Sequence, residues 1–341
     1  MPINETAQTY IENIKRKCEI IKPLVVIRCI AYNQEKYIRS ALDGFLIQKT
    51  NFPFIAIIHD DFSTDRTTEI IKEYSRKYPD LIFPIFENEN QYSKKKGIIT
   101  SIMDAASFVT NAKYIAECEG DDYWIDPLKL QKQVDFMEAN PEYTLCATNS
   151  YFEKKDNSIK NSPYNVLYNK DVSCTEVIMG GGLFLTTATL FYKISDYKKF
   201  PRDIKFHVGD YPLQIYLTHL GKTKILSDIT SVYRQNSFGS WNNINEKNNF
   251  NLSKKKNFLI KEKELLQKIN EITEYKYDNI TKKRMNYYSF VQLLYFSPIR
   301  ELKYIIKDPI TIYKKNGLKL IIFSLLPTPL KRAIKIKKDN K

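Results

Sequence analysis

Short apolar runs, several rich in β-branched residues, alternate along this chain with stretches whose apolar residues recur at helical spacing. Leu24–Ile30 (L-V-V-I-R-C-I) reads as a buried parallel strand, and in Glu35–Gln48 the side chains Ile38, Leu42, Phe45 and Leu46 share one helical face. Phe54–Ile58 is a second strand, Thr67–Lys77 a helix stopped by Pro79, Leu81–Phe86 a third strand, Ile98–Val109 a helix and Tyr114–Cys118 a fourth strand. Before them, Met1–Lys22 places Tyr10, Ile11, Ile14 and Cys18 at helical spacing, as in a packing leader. Strands joined by helices rather than hairpin turns predict an α/β fold with a mostly parallel, doubly wound sheet. The alternation ends after the helix Leu128–Ala139, which Asp126 is placed to cap and Pro127 to open. Thr144–Phe152 and Lys224–Tyr233 read as strands, and Glu153–Lys170 as a polar surface loop. The triple glycine 180–182 leads into a strand-like Leu183–Tyr192, and Leu213–Leu220 is a helix closed by Gly221 as a C′ glycine.

Acidic residues gather where these strands end: Asp60 and Asp61, then Glu119, Asp121 and Asp122, then Asp210. A parallel sheet brings its carboxyl ends to one edge, where ligands bind. Adjacent acids repel unless a cation or several donors offset them, and hard oxygen ligands suit Mg²⁺ or Mn²⁺ carrying phosphate. Taken singly, an Asp-Asp pair is a solvated turn and Asp210 a cap for the helix after it. No G-x-G-x-x-G follows the first strand, and no G-x-x-x-x-G-K-[ST] occurs. Phosphate is therefore expected to meet a metal rather than a glycine cradle. The five cysteines are scattered without a C-x-x-C pair, which indicates neither a zinc site nor a disulfide framework.

Four segments in order, I-A-Y-N-Q-E-K-Y-I (30–38), H-D-D-F-S-T-D (59–65), A-E-C-E-G-D-D-Y-W (116–124) and V-G-D-Y-P-L (208–213), resemble the family 2 inverting glycosyltransferases of GT-A fold. The likeness is greatest to bacterial members that build surface polysaccharides such as capsule or lipopolysaccharide. The resemblance implies a nucleotide-sugar site formed by Ala31, Tyr32, Glu35, Asp61, Lys96, Asp121 and Arg234. Within it, Asp61 would accept from the base, Asp121 would lie near the ribose, and Asp122 would bind Mn²⁺ or Mg²⁺. Asp210 would be the catalytic base, the donor a UDP-sugar, and the acceptor a glycan or lipid-linked glycan. Glu119 receives no role. His59, His207 and His219 read as structural. Where relatives carry a histidine in a closing loop, this chain has Asn236.

The net charge of +14 is uneven. Residues 312–341 hold nine Lys or Arg against the single acid Asp339, which makes +8 of the total. Leu318–Leu326 is too short to span a bilayer but suits lying at an anionic surface. A packed helical region with a solvated basic end fits equally well. The polar first 23 residues lack a signal-peptide core, so the protein is expected in the cytoplasm, peripheral on the cytosolic face of the inner membrane if the tail binds lipid. The expected division is a helical leader (1–22), a GT-A domain (23–245) and a helical basic region (246–341). Charge alone would also suit a nucleic-acid-binding protein, but the basic residues lie in a tail without a recognition motif, so no nucleic-acid partner is expected. A nucleotidyltransferase would be expected to carry a glycine-rich loop at Ala31–Glu35, which is absent.

Overall fold

The computed structural model describes residues 3–94, 97–235 and 252–296. Helix α1 (Glu5–Ile21) is capped by the Asn4 carboxamide, which accepts from the Ala7 amide at 2.7 Å. It is followed by β1 (Val25–Ala31), α2 (Ile38–Leu46), β2 (Phe54–Asp60), α3 (Thr67–Lys77) and β3 (Ile82–Phe86). Then come α4 (Gln91–Lys94), α5 (Ile98–Phe108), β4 (Tyr114–Glu117), β5 (Tyr123–Trp124), α6 (Lys129–Ala139) and β6 (Tyr143–Glu153). After β7 (Ile159–Asn161), β8 (Lys170–Val172) and α7 (Cys174–Gly180), a 3₁₀ turn at Thr187–Thr189 leads into β9 (Phe191–Lys193) and α8 (Ile194–Tyr197). The described chain ends with α9 (Asp210–Leu220), β10 (Lys222–Arg234), α10 (Leu252–Ile272) and α11 (Asp278–Phe296).

The sheet runs β3-β2-β1-β4-β9-β6-β10-β5. Its first four strands are parallel, β6 and β10 are parallel to each other, and β9 is antiparallel to both its neighbours. Alternation along the strands builds two cores. Val26, Ile55, Ile57, Phe83 and Ile115 face one side with α1, α5, α7 and α9, while Val25, Ile27, Ala56, Ile58 and Ala116 face the other with α2, α3 and α6. Each buried Ile or Val is worth about 1.5–3 kcal/mol, so a one-residue slip of β1 would be prohibitive. The strand ends, and the acids after them, are thereby fixed at one edge.

Several expectations need correction. The regular part of α6 begins at Lys129, two residues later than a cap at Asp126 implies. The Asp126 carboxylate instead accepts from the Leu128 amide at 2.8 Å and pairs with Lys132 at 2.7 Å. The 153–170 stretch contains β7, paired to β6, and runs into β8, paired to β10. The strand read over 183–192 is confined to Phe191–Lys193, because the preceding residues make turns. Gly221 is extended (φ −166°) rather than left-handed. It is small because a Cβ would lie 2.5 Å from Thr144 Cγ2. Lys96, Asn236, the rest of the loop to residue 251 and the 312–341 tail lie outside the described residues. Among the described residues, no helix is long and apolar enough to cross a membrane.

Candidate active site

The site grows from the aligned ends of β1, β2 and β4. Ala31 pairs with Asp60 in register, the Asp61 amide donates to the Ala31 carbonyl at 3.1 Å, and the Gly120 amide donates to the Ile30 carbonyl at 3.0 Å. The loops after β1 and β2 are stitched together. The Asn33 amide donates to Ser63 Oγ at 2.9 Å, the Thr64 amide to Asn33 Oδ1 at 2.7 Å, and the Glu35 amide to Asp65 Oδ2 at 3.0 Å. Glu35 returns a bond by accepting from the Arg66 amide at 3.1 Å. Asn33 and Phe62 turn these loops with left-handed backbone, φ 52° and 63°. Ala31 is buried at the base and Tyr32 is exposed at the rim.

Asp61 is buried beneath this loop pair, and its two oxygens accept from the Gln91 amide at 2.7 Å and the Tyr92 amide at 3.1 Å. Burial pushes its carboxyl upward and these two amides pull it back. Asp60 is spent differently, on Ser63 and Thr68.

The turn between β4 and β5 carries Glu119, Asp121 and Asp122. Asp122 is buried, and its Oδ1 accepts from the Arg234 amide at 2.8 Å. Burial, then Asp121 and Glu119, push its carboxyl well above the usual range. Glu119 is raised too, by burial and by Glu117, Asp121 and Asp210. That last influence places Asp210 in the same field. Asp210 opens α9, where its carboxylate accepts from the Tyr211 amide at 2.8 Å and from Thr187 Oγ1 at 3.2 Å. Burial raises it above an ordinary aspartate, which makes it a stronger base. The structure thus brings Glu119, Asp121, Asp122 and Asp210 together, with Ala31, Tyr32, Glu35 and Asp61 on the adjoining loops.

The resemblance puts Arg234, at the end of β10, at the nucleotide-sugar site. Its guanidinium braces the turn between β4 and β5. Nη1 donates to the Asp121 carbonyl at 2.8 Å, Nη2 to Ser40 Oγ at 3.3 Å, and Nε faces Glu153 at 3.3 Å. The ring of Tyr123 lies 4.3 Å from its centre. Below the turn, Trp124 is locked by its indole N–H on the Ala188 carbonyl at 2.9 Å and by the ring of Phe45 at 5.0 Å.

Glycosyl transferase family 2 matches residues 27–200, just over half of the 341. The chain belongs to glycosyltransferase family 2. An uncharacterised protein of Mycobacterium bovis is 36% identical over 218 residues, 62% of this chain and 59% of that protein. The putative glycosyltransferase EpsE of Bacillus subtilis is 32% identical over 126 residues, 37% of this chain and 42% of its own length. The chain spans about three-fifths of the length of the mycobacterial relatives it matches. Among solved structures, S. aureus TarS 1–349 in complex with UDP-GlcNAc superposes with a TM-score of 0.56 at 16% identity, covering 86% of this chain and 76% of that one. The mannosyltransferase PcManGT from Pyrobaculum calidifontis, in complex with GDP-Man and Mn²⁺, gives 0.50 at 13% identity, covering 92% and 90%. These likenesses establish the GT-A fold.

A family 2 site with a metal needs hard oxygen donors. Among the described residues, no group of three or more His, Cys, Asp or Glu is arranged to hold an ion unaided. The acids nevertheless fit the commoner plan for Mg²⁺ or Mn²⁺, in which one or two carboxylates bind and substrate phosphates and water complete the shell. Asp121 raises the proton affinity of both Asp122 and Glu119, and Glu119 raises that of Asp122, a cost that a cation would relieve. The histidines are tied elsewhere: His59 to Glu87 at 3.2 Å, His207 to Glu262 at 2.8 Å and His219 to Tyr277 at 3.4 Å.

Two participants escaped the sequence reading. Thr187 lay inside an apparent strand, and nothing in the residue pattern marks it. Glu262 lay among lysines, but it shares an apolar stripe with Leu259, Leu265, Leu266 and Ile269, all buried. A charge on such a stripe was the available signal.

Proposed function

We propose that the protein is a metal-dependent inverting glycosyltransferase that moves a sugar from a nucleoside diphosphate donor, a UDP-sugar, to a glycan or lipid-linked glycan in bacterial surface-polysaccharide synthesis. The observation that carries the reading is Asp210, a half-buried carboxylate of raised proton affinity, set beside the acids at the end of β4. Family membership supports the reaction class. TarS bound to UDP-GlcNAc and PcManGT bound to GDP-Man and Mn²⁺ support a nucleotide-sugar donor and a divalent ion. The putative teichuronic acid biosynthesis glycosyltransferase TuaG, from Bacillus subtilis, supports the polysaccharide part of the reading.

In this reading Asp210 accepts the proton of the acceptor hydroxyl as its oxygen attacks the anomeric carbon. The bond to the diphosphate breaks on the opposite face, so configuration inverts. Thr187 and the Tyr211 amide orient the Asp210 carboxylate. Asp61 accepts from the base, Tyr32 lies at the rim where the base enters, and Ala31 and Glu35 shape the loop. Asp121 faces the ribose. When bound, Mn²⁺ or Mg²⁺ supplies positive charge to the departing diphosphate, with Asp122 as its principal protein ligand. Lys96 is assigned to the diphosphate. The glycosyltransferase domain is residues 23–245, residues 1–22 pack as a leader, and within the basic region 246–341 the tail from residue 312 meets anionic lipid at the cytosolic membrane face.

The test is transfer and acceptor-free hydrolysis with a panel of nucleotide sugars, with Mn²⁺ and with EDTA, for the native chain and Asp210→Asn. The reading expects one donor to turn over only with metal. Asp210→Asn should lose about 10²–10⁴-fold in transfer while still binding UDP. Full transfer by Asp210→Asn would sink the assignment of the base.

A further inference from the structure

The loop that delivers Asp210 is anchored at its start, where Arg202 pairs with Asp104 at 2.5 Å and donates to the Tyr197 hydroxyl at 3.1 Å, and Phe206 and Val208 pack against the core. Asp203, Lys205 and Gly209 are exposed, and a Cβ at Gly209 would meet nothing within 4 Å. Further fastening comes from the C-terminal helices. Glu262 of α10, 5% exposed, accepts from His207 Nε2 at 2.8 Å with one oxygen and from the Tyr288 hydroxyl of α11 at 2.7 Å with the other. Lys268, two turns along α10, donates to the Lys205 carbonyl at 2.7 Å. On the far side of the base, Arg284 of α11 donates to the Met179 carbonyl at 2.8 Å and packs over Tyr288 at 4.8 Å. Its guanidinium fills the space where a Cβ on Gly181 would sit, and Gly181 turns with φ 79°. The Tyr211 hydroxyl then ties α9 back to the Ile178 carbonyl at 2.7 Å. The two segments that flank Asp210 in space are therefore both pinned by α10 and α11, beyond residue 200, where the family match ends.

We infer that Glu262 is a positioning residue for the base: through His207 it fixes the 202–209 loop, so that the α10–α11 pair is part of the catalytic unit. The inference rests on the reading of Asp210 as the base. A buried carboxylate holding two donors from two different elements is rigid in a way that a single contact is not, because losing either partner leaves the other strained or unpaired. His207 lies three residues before Asp210, so slack there is passed directly to the carboxylate. Misplacement of a reacting group by about 1 Å can cost up to a hundredfold in rate.

The experiment uses the full chain with Glu262→Leu, Glu262→Gln, His207→Leu and Asp210→Asn. Amide hydrogen exchange is followed over residues 202–211, together with kcat and the KM for the donor found in the panel, and UDP with Mn²⁺ serves as the binding probe. Glu262→Leu is expected to speed exchange in 202–211 by about tenfold without changing β1 or β4. It should lower kcat about tenfold to a hundredfold at unchanged donor KM and UDP affinity. Glutamine can accept from His207 and donate to the Tyr288 oxygen, so Glu262→Gln should recover most of both losses. If Glu262→Leu fails to fold, His207→Leu tests the same link from the loop side and should show the same split. Unchanged exchange in 202–211 with native kcat overturns the inference, and so does a loss confined to donor KM. If Asp210→Asn is inactive while Glu262→Leu and His207→Leu are fully active, only this inference fails. If Asp210→Asn is active, the reading beneath it fails.

Discussion

Replacing Arg234 with lysine separates two roles for that side chain. Lysine keeps the positive charge and can face Glu153, but it offers a point charge where the guanidinium offers a planar fork. The native fork spans the Asp121 carbonyl at 2.8 Å and Ser40 Oγ at 3.3 Å while covering Tyr123 at 4.3 Å. A lysine can remake one of those bonds and part of the ring contact. The loss is then one charge-assisted hydrogen bond, about 1.5–3 kcal/mol, plus roughly 0.5–1 kcal/mol of stacking. The side chain is only 12% exposed, so solvent screening removes little of this. At about 2–4 °C per kcal/mol for a mid-sized domain, the nucleotide-free midpoint should fall roughly 5–15 °C. Donor affinity should fall as well, because the Asp121–Asp122 turn loses its brace. Thermal denaturation with and without UDP and Mn²⁺ checks both. An unchanged midpoint without ligand, combined with a large loss of UDP affinity, would refute the brace and return Arg234 to the nucleotide.

In EDTA, Asp122→Asn should be more stable than the native chain at neutral pH. The folded carboxyl is raised, so the native protein is favoured when that group is protonated and loses this contribution as pH rises through the raised value. The gap between the two proteins should close as pH falls toward the ordinary carboxyl range near about 3.9, and a gap independent of pH would contradict the linkage. With UDP and Mn²⁺ the order should reverse, since only the native chain gains from the ion. Gly44→Ala sets helix propensity against space in α2. Alanine gains about 1 kcal/mol as a helix former, but its Cβ would sit 2.8 Å from the Trp124 nitrogen and 2.9 Å from its carbonyl oxygen, both backbone. Overpacking of about 1–3 kcal/mol should win, giving a lower melting midpoint and weaker UDP binding, and a midpoint at or above native would show that the turn can yield.

The layered fold was legible because its signal is local and repeated. β1 and β2 announce themselves by four or more buried apolar residues, and α3 spans Thr67–Lys77 as its spacing and the stop at Pro79 predict. The second half was harder. β7 and β8 are three residues each and mostly exposed, so they exist through pairing to β6 and β10 and leave no periodicity to find. Leu183–Tyr192 sets three threonines among seven apolar residues, a run that cannot distinguish a strand from buried turns. The strand-end acids were visible as residues, but their partners were not. Nothing in the sequence announces that Arg234 turns inward to Asp121, that Thr187 meets Asp210, or that a glutamate some fifty residues beyond Asp210 holds His207 in the loop before it.

Those hidden partners explain how the chain tolerates its own acids. Parallel register sets Ala31 beside Asp60 and Arg28 beside Glu117, so every carboxylate that follows these strands is brought to one edge. Each is then held by donors. Asp61 takes two amides from the start of α4, Asp122 takes the Arg234 amide, and Asp210 takes Thr187 and its own helix. These bonds orient the groups but do not offset burial, which comes first in raising Asp122, Glu119 and Asp210 alike. Charge from the other acids of the site adds to burial at Glu119 and Asp122, on the turn between β4 and β5, whereas the acid that adds to burial at Asp210 is Glu262. On the proposed reading a divalent cation with a diphosphate would gain most on the β4–β5 side, and Asp210 would keep the basicity that proton abstraction requires. The strand-end geometry that gathers these acids would, on that reading, divide the site into a cation side and a base side.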